Sequence, residues 1–172
     1  MSDVTLQDTN KKGEIKMKKV ISAFLLLAVL ALSLTACSSN EKMKNPSTKE
    51  VADAVKNSTE FTELVELNDS NIDRRYYGIS LEDIEEYTVY VCSSGAMVDE
   101  IGIFKMKEQD DVEDMLEVVK ERKQELYDAF VDYVPEEIGK VNEAVINSKG
   151  KYVYFIISEN RSEAKKAAES CF

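Results

Sequence analysis

An apolar run from Val20 to Leu34 divides this chain into a segment that addresses it and a segment that folds. Lys18 and Lys19 precede the run, no charge interrupts it, and small residues close it at Thr35 and Ala36. It is long enough for the apolar core of an export signal and short of the roughly 20 residues a membrane-spanning helix needs. The folded part must therefore be built from the residues after Cys37, where no comparable run recurs.

Leu34-Thr35-Ala36-Cys37 resembles the bacterial lipobox. The resemblance implies that a lipoprotein signal peptidase reads Leu34, Thr35 and Ala36. The Cys37 thiol then receives a diacylglyceryl group, and cleavage makes Cys37 the mature N-terminus. The alternatives are an uncleaved anchor or a plain secretory signal with a chance cysteine. Burial of acyl chains contributes about 0.8 kcal/mol per methylene, so two or three chains hold a soluble domain on a bilayer where one is marginal. The expected location is the extracytoplasmic face of the cell membrane, with the lipid on Cys37 as the membrane contact. Residues 1–16 place acids and a polar stretch ahead of Lys18, which a signal does not require. Met17 is the expected start, because Lys11-Lys12-Gly13-Glu14 can be encoded as a ribosome-binding sequence just upstream. The alternative is a genuine extended leader.

Four segments result: 1–16 as a spurious extension, 17–36 as the signal, 37–46 as lipidated cysteine and flexible tether, and 47–172 as one domain. Residues 1–36 hold five of the chain's 22 basic and three of its 33 acidic residues, so the remaining 136 residues carry 17 and 30, net −13. One ordinary domain fits that length. The acidity argues against nucleic acid and against lying flat on an anionic bilayer. With Cys37 lipidated, Cys92 and Cys171 remain. An oxidising exterior permits them to pair, but Cys92 reads better as a small buried hydrophobe.

Ser47 and Glu50 match a capping box, and Val51, Ala54 and Val55 give the helix over 48–57 an apolar stripe. Phe61 to Leu67 is apolar with no clear period. Asp69 to Tyr77 reads as a short helix ended by Gly78, and Leu81 to Glu86 as a helical turn or acidic loop. Tyr87–Cys92 and Ala96–Met106 read as strands around a Ser93-Ser94-Gly95 turn. Ile101 and Ile103 fall on one face, Phe104 and Met106 on the other. Gly102 between them marks a bulge or a close approach of another element. Asp110 and Glu113 suggest a cap for a long helix with Val112, Met115, Leu116, Val119, Leu126, Phe130 and Tyr133 at helical spacing. Pro135 stops or kinks it. Glu143–Asn147 and Tyr152–Ser158 read as a hairpin turning at Ser148-Lys149-Gly150-Lys151. The second of these strands is apolar on both faces and therefore central. Ser162 is read as the cap of a last helix, Glu163–Ser170. The expected fold is α+β: a four-stranded antiparallel sheet made of two hairpins, a long helix between them, helices at both ends, and the helices packed on a face.

Tyr77-Gly78-Ile79, Glu85-Glu86-Tyr87, Ser93-Ser94-Gly95-Ala96-Met97, Asp99 to Lys105 and Lys149-Gly150-Lys151-Tyr152-Val153 come after the signal in that order. Together these stretches resemble lipoproteins of the domain-of-unknown-function family 4358 of clostridium-like Gram-positive bacteria. The resemblance spans about the whole mature domain. It implies an extracytoplasmic lipoprotein and carries no activity or catalytic residue.

The chain has no histidine, which excludes Ser-His-Asp and Cys-His catalysis and the His-Glu-x-x-His zinc motif. Asp69-Ser70-Asn71-Ile72-Asp73 opens like a calcium loop, yet Arg74 and Ser80 stand where that loop needs glycine and glutamate, so a helix start is the better reading. Ser162-Glu163-Ala164-Lys165 matches Ser-x-x-Lys without its companion motifs and reads as a helix start with an exposed lysine. The acids from Glu108 to Asp114 suit a helix N-terminus better than a cation site. No catalytic residue, cofactor or metal is predicted. Tyr87, Tyr90, Tyr152 and Tyr154 lie on expected strands. They form an exposed partner-binding patch if helices cover one sheet face only, and line the core otherwise. The expected function is non-catalytic binding of a protein or glycan partner, or of a ligand, outside the membrane. The alternatives are a carboxylate-based enzyme acting on cell-envelope glycans and a structural accessory of an envelope complex.

Overall fold

The computed structural model describes residues 44–172 apart from Tyr77 and Ile79. The expected signal, Leu34, Thr35, Ala36 and the lipidation site Cys37 lie outside the described residues. So do residues 1–16 and most of the tether.

In chain order the elements are α1 (Thr48–Lys56), β1 (Leu64–Glu66), α2 (Asp69–Arg75), β2 (Ile84–Cys92), β3 (Glu100–Met106), α3 (Asp111–Phe130), α4 (Ile138–Asn142), β4 (Val145–Lys149), β5 (Tyr152–Ile157) and α5 (Arg161–Cys171). Short 3-10 turns at Leu81–Asp83 and Pro135–Glu137 precede β2 and α4. The fold is α+β, and the sheet is antiparallel throughout in the order β1-β2-β3-β5-β4. It has five strands rather than the expected four. The addition is β1, whose three residues pair with Tyr90–Cys92 at the sheet edge. So short a strand has no readable period, and the pairing that defines it lies far away in sequence.

The helices cover both faces rather than one. Side chains alternate across a strand, so Val153, Phe155 and Ile157 of β5 meet α3, while Tyr154 and Ile156 meet α1 and α5. All six residues of β5 are buried, as a central strand with two covered faces requires. The division expected within β3 holds: Ile101 and Ile103 face α1 and α5, Phe104 and Met106 face α3. In β2 a register shift between Ile84 and Glu86 lets Ile84 share the α3 face with Val89 and Val91 despite their odd spacing.

Caps decide several boundaries. Ser47 and Glu50 make the full capping box of α1. Asp110 adopts helical geometry and makes no capping bond, so the expected cap of α3 is absent. α3 ends at Phe130, before Pro135, which opens the 3-10 turn ahead of α4, and Tyr133 is left 69% exposed. Asn160, not Ser162, accepts from the Glu163 N–H at 3.4 Å and caps α5. The β4–β5 hairpin turns through Gly150, whose φ of 54° suits glycine.

Candidate functional site

β3 begins with a charged residue on the wrong face for one. Glu100 shares parity with Gly102, Phe104 and Met106 and so points beneath α3, where it is 2% exposed. A carboxylate buried there must be paired. Arg122 supplies the pair from α3, donating from Nε to Oε1 at 3.2 Å and from Nη2 to Oε2 at 2.9 Å. Tyr76, just beyond α2, donates its hydroxyl to the same Oε1. Burial pushes the Tyr76 hydroxyl well above the ordinary tyrosine range, and the Glu100 charge adds to the effect. Burial works against the Arg122 charge, but the Glu100 carboxylate outweighs it and raises the guanidinium pKa. Gly102 is the close approach anticipated at that position. A Cβ there would lie 2.9 Å from Phe104 Cε2 and 3.0 Å from the Tyr76 oxygen.

A second polar knot lies beside the first. Asp99 Oδ1 accepts from Lys140 at 3.3 Å, and Asp99 Oδ2 accepts from the Thr62 N–H at 3.1 Å. Glu137 Oε2 takes the Val98 N–H at 3.1 Å and Lys140 at 3.0 Å. Burial pulls the Lys140 ammonium pKa down, and the Glu137 and Asp99 carboxylates more than restore it, so it stands above the ordinary lysine value. These bonds hold residues 93–99 as a loop, closed by Cys92 N–H to the Asp99 carbonyl at 2.9 Å. The expected strand from Ala96 therefore starts only at Glu100.

The loop and the second half of α3 enclose a cleft of about 310 Å³. Its apolar wall includes Met97, Leu126 and Phe130, Glu100 and Arg122 form its buried lining, and Arg75 from the end of α2 joins them. Arg75 has no carboxylate within ion-pair distance among the described residues. Arg122 Nη1 meets Glu125 at 3.5 Å, the outer limit of a hydrogen bond.

A protein-family model described as Domain of unknown function (DUF4358) matches residues 57–158. The chain belongs to the DUF4358 family. No curated protein and no solved structure matches it. The DUF4358 match contains the whole sheet and every residue lining the cleft, whereas α1 and α5, which cover the second face, fall outside it. The Ser93-Ser94-Gly95-Ala96-Met97 stretch behind the family resemblance is the cleft loop.

The four tyrosines do not form one surface. Tyr90 and Tyr154 are buried beneath α1 and α5, Tyr152 is buried against Phe172, and Tyr87 points to the α3 face and is half-buried. The Tyr90 hydroxyl donates to Asp53 at 2.8 Å and accepts from Lys49. The Tyr152 hydroxyl lies 2.8 Å from Asn45 Oδ1 and 2.6 Å from the Pro46 carbonyl. Phe172 stacks near Tyr154 at 6.0 Å between centroids and packs tilted on Tyr152 at 4.9 Å. Two covered faces leave no room for the exposed aromatic patch.

Other sequence candidates are dispersed. Asp69–Arg75 is helical where a calcium loop would wind around its ion. Ser162 is an exposed residue in the first turn of α5. Among the described residues, no group of three or more acidic or cysteine side chains is arranged to hold a metal. Cys92 and Cys171 are both free and half-buried, one lining the cleft and one beside the tether, so the pairing that an oxidising exterior permits is not formed.

Sequence reasoning passed over Glu100, Arg122 and Arg75. The signal was present for the first two: an acid in phase with Phe104 and Met106, and an arginine three residues after Val119 and four before Leu126, within the apolar stripe of α3.

Proposed function

We propose that this protein is a lipid-anchored, extracytoplasmic binding domain, held to the cell membrane by a diacylglyceryl group on Cys37, that takes its partner or ligand in the cleft beneath α3. One observation carries the binding half of this reading. The buried carboxylates of the cleft are engaged through both oxygens by Arg122, Tyr76, Lys140 and the Thr62 N–H, while the Arg75 guanidinium is left without a carboxylate among the described residues. A general acid or base needs an uncommitted proton site within reach of substrate. An unpaired cation above an apolar wall suits recognition instead.

The tether supports the same reading. The chain enters the domain beside Tyr152, where Lys44 donates to the Ser170 carbonyl at 3.4 Å. Tyr152 pairs with Lys105 at one end of β3, and Glu100 stands at the other. At about 3.4 Å per residue the cleft lies roughly 17 Å along the sheet from the tether. Chain entry and cleft thus stand at opposite ends of β3.

Two variants test the two halves. Cys37→Ala is expected to abolish incorporation of radiolabelled palmitate, and label retained by that variant overturns the anchor. Ala129→Trp places an indole in the cleft from an exposed helical position. Pull-down with native lipidated protein is expected to recover a specific protein or glycan that the Trp variant loses. Recovery of no specific partner, or equal recovery by both proteins, counts against the cleft.

A further inference from the structure

We infer that the cleft recognises a compact, singly charged carboxylate carrying an apolar substituent, the group that the C-terminal residue of a peptide presents. The inference rests on the cleft being the binding site and adds the class of ligand. A volume of about 310 Å³ stands at the small end of ligand pockets. It accommodates one or two amino-acid residues.

The charges select an anion. Arg122 commits Nε and Nη2 to Glu100 and leaves Nη1 on a 3.5 Å contact with Glu125. Arg75 brings a second guanidinium to the same cleft with no acid paired to it among the described residues. Asp99 and Glu100 bring two negative charges, met by Lys140, which Glu137 shares, and by Arg122, which also touches Glu125. Arg75 is thus the cation of the cleft left open to an incoming anion, in a chain whose net charge is −11. Guanidinium groups bind planar oxyanions through two parallel N–H bonds, which an ammonium cannot do.

The surroundings select a carboxylate over a phosphate. A doubly charged phosphate would enter against the field of a strongly acidic protein with one unpaired guanidinium to meet it. Beyond the guanidinium groups the wall is Met97, Leu126 and Phe130. An aliphatic side chain buries there at about 25 cal/mol per Å². A bare anion gains nothing from that wall.

The test is calorimetric titration of the full-length protein in detergent with N-acetyl-leucine, N-acetyl-leucinamide, isocaproate and inorganic phosphate. Saturable binding of N-acetyl-leucine is expected, weakened about tenfold or more in the amide and in Arg75→Gln, since a charge-assisted hydrogen bond contributes about 1.5–3 kcal/mol. Arg75→Gln is expected to melt like the unmodified protein, which separates lost recognition from lost folding. Tighter binding of N-acetyl-leucine than of isocaproate assigns a peptide end, and equal binding a free apolar acid; both support the proposal. Equal binding of acid and amide, unchanged affinity in Arg75→Gln, or phosphate binding as tightly as N-acetyl-leucine overturns it. If N-acetyl-leucine does not bind while Ala129→Trp still loses a pulled-down partner, the ligand class fails and the cleft survives. If neither effect is seen, both fail.

Discussion

Arg122→Met is the perturbation that most directly tests how the cleft is built. Methionine keeps much of the volume and the apolar contacts on α3 and removes the charge. Glu100, 2% exposed, would lose both guanidinium bonds and keep only the Tyr76 hydroxyl. Breaking a buried pair by deleting one partner costs about 3–5 kcal/mol, because the remaining charge is stranded. That is a large share of the roughly 5–15 kcal/mol that stabilises a typical domain. At about 3–5 °C per kcal/mol for a domain of this size, the melting temperature should fall by ~10–20 °C. Glu100→Gln alone strands Arg122 and should cost a similar amount. In Glu100→Gln/Arg122→Met the amide oxygen still accepts from Tyr76 and no buried charge remains. That variant should return to within about 1–2 kcal/mol of the parent, since a neutral replacement of both partners removes the desolvation penalty. Urea denaturation of the four proteins closes the cycle. A double variant as unstable as the two single losses added together, or a loss below about 1 kcal/mol in Arg122→Met, would show that Glu100 and Arg122 are not coupled and that the floor of the cleft is held otherwise.

Gly102→Ala should destabilise by roughly 1–3 kcal/mol in the same assay, because its methyl would meet Phe104 and the Tyr76 hydroxyl at 2.9 and 3.0 Å and push Tyr76 off Glu100. Ser47→Ala should cost about 1 kcal/mol through loss of the α1 capping box, read as a lower urea midpoint with unchanged slope. Burial pushes the Tyr154 hydroxyl up to about 12, with a contribution from Glu169. The neutral phenol is thus favoured in the folded state, so stability is intact below the ordinary tyrosine pKa near 10 and declines as pH rises from there to about 12. Tyr154→Phe should flatten that decline, measured as urea midpoint against pH alongside tyrosinate absorbance. Cys92 and Cys171 should both be alkylated after denaturation without reductant, and a reductant should leave the melting temperature unchanged; a mass lower by two hydrogens before reduction would contradict the free thiols.

How much could be read in advance depended on whether the deciding interaction was local. The capping box at Ser47, the glycine turn at Gly150 and the alternation of Ile101, Ile103, Phe104 and Met106 involve residues a few positions apart, and each was legible. The covering of both sheet faces was not. α1 and α5 are amphipathic helices, and nothing in either states which side of a sheet it will cover. The hint lay in Tyr152 to Ile157, apolar on both faces, because a strand with two apolar faces needs two covers. β1 was hidden because its three residues become a strand only against Tyr90–Cys92. The tyrosines were misplaced for the same reason. With a second helical layer in place, the hydroxyls of Tyr90, Tyr152 and Tyr154 satisfy Asp53, Asn45, Pro46 and Glu169 instead of meeting a partner.

The cleft escapes a search for groups that are reactive in water, because it is marked by groups in the wrong solvent. Glu100 and Arg122 are ordinary residues until the periodicity of their own elements places each on an apolar face. A charge on such a face must find its opposite, and the geometry that satisfies a 7-residue strand and a 20-residue helix at once brings them together across the layer between sheet and helix. Tyr76 then fits only because position 102 has no side chain. The loop from Ser93 to Asp99 is pinned beside this knot by Glu137 and Lys140, and Arg75 is carried in on the end of α2. The cleft is thus a consequence of how two buried ion pairs hold loop and helix apart at one end of the sheet. Residues that keep the pairs intact should set its shape, and Arg75, which no pair among the described residues claims, should set what enters it.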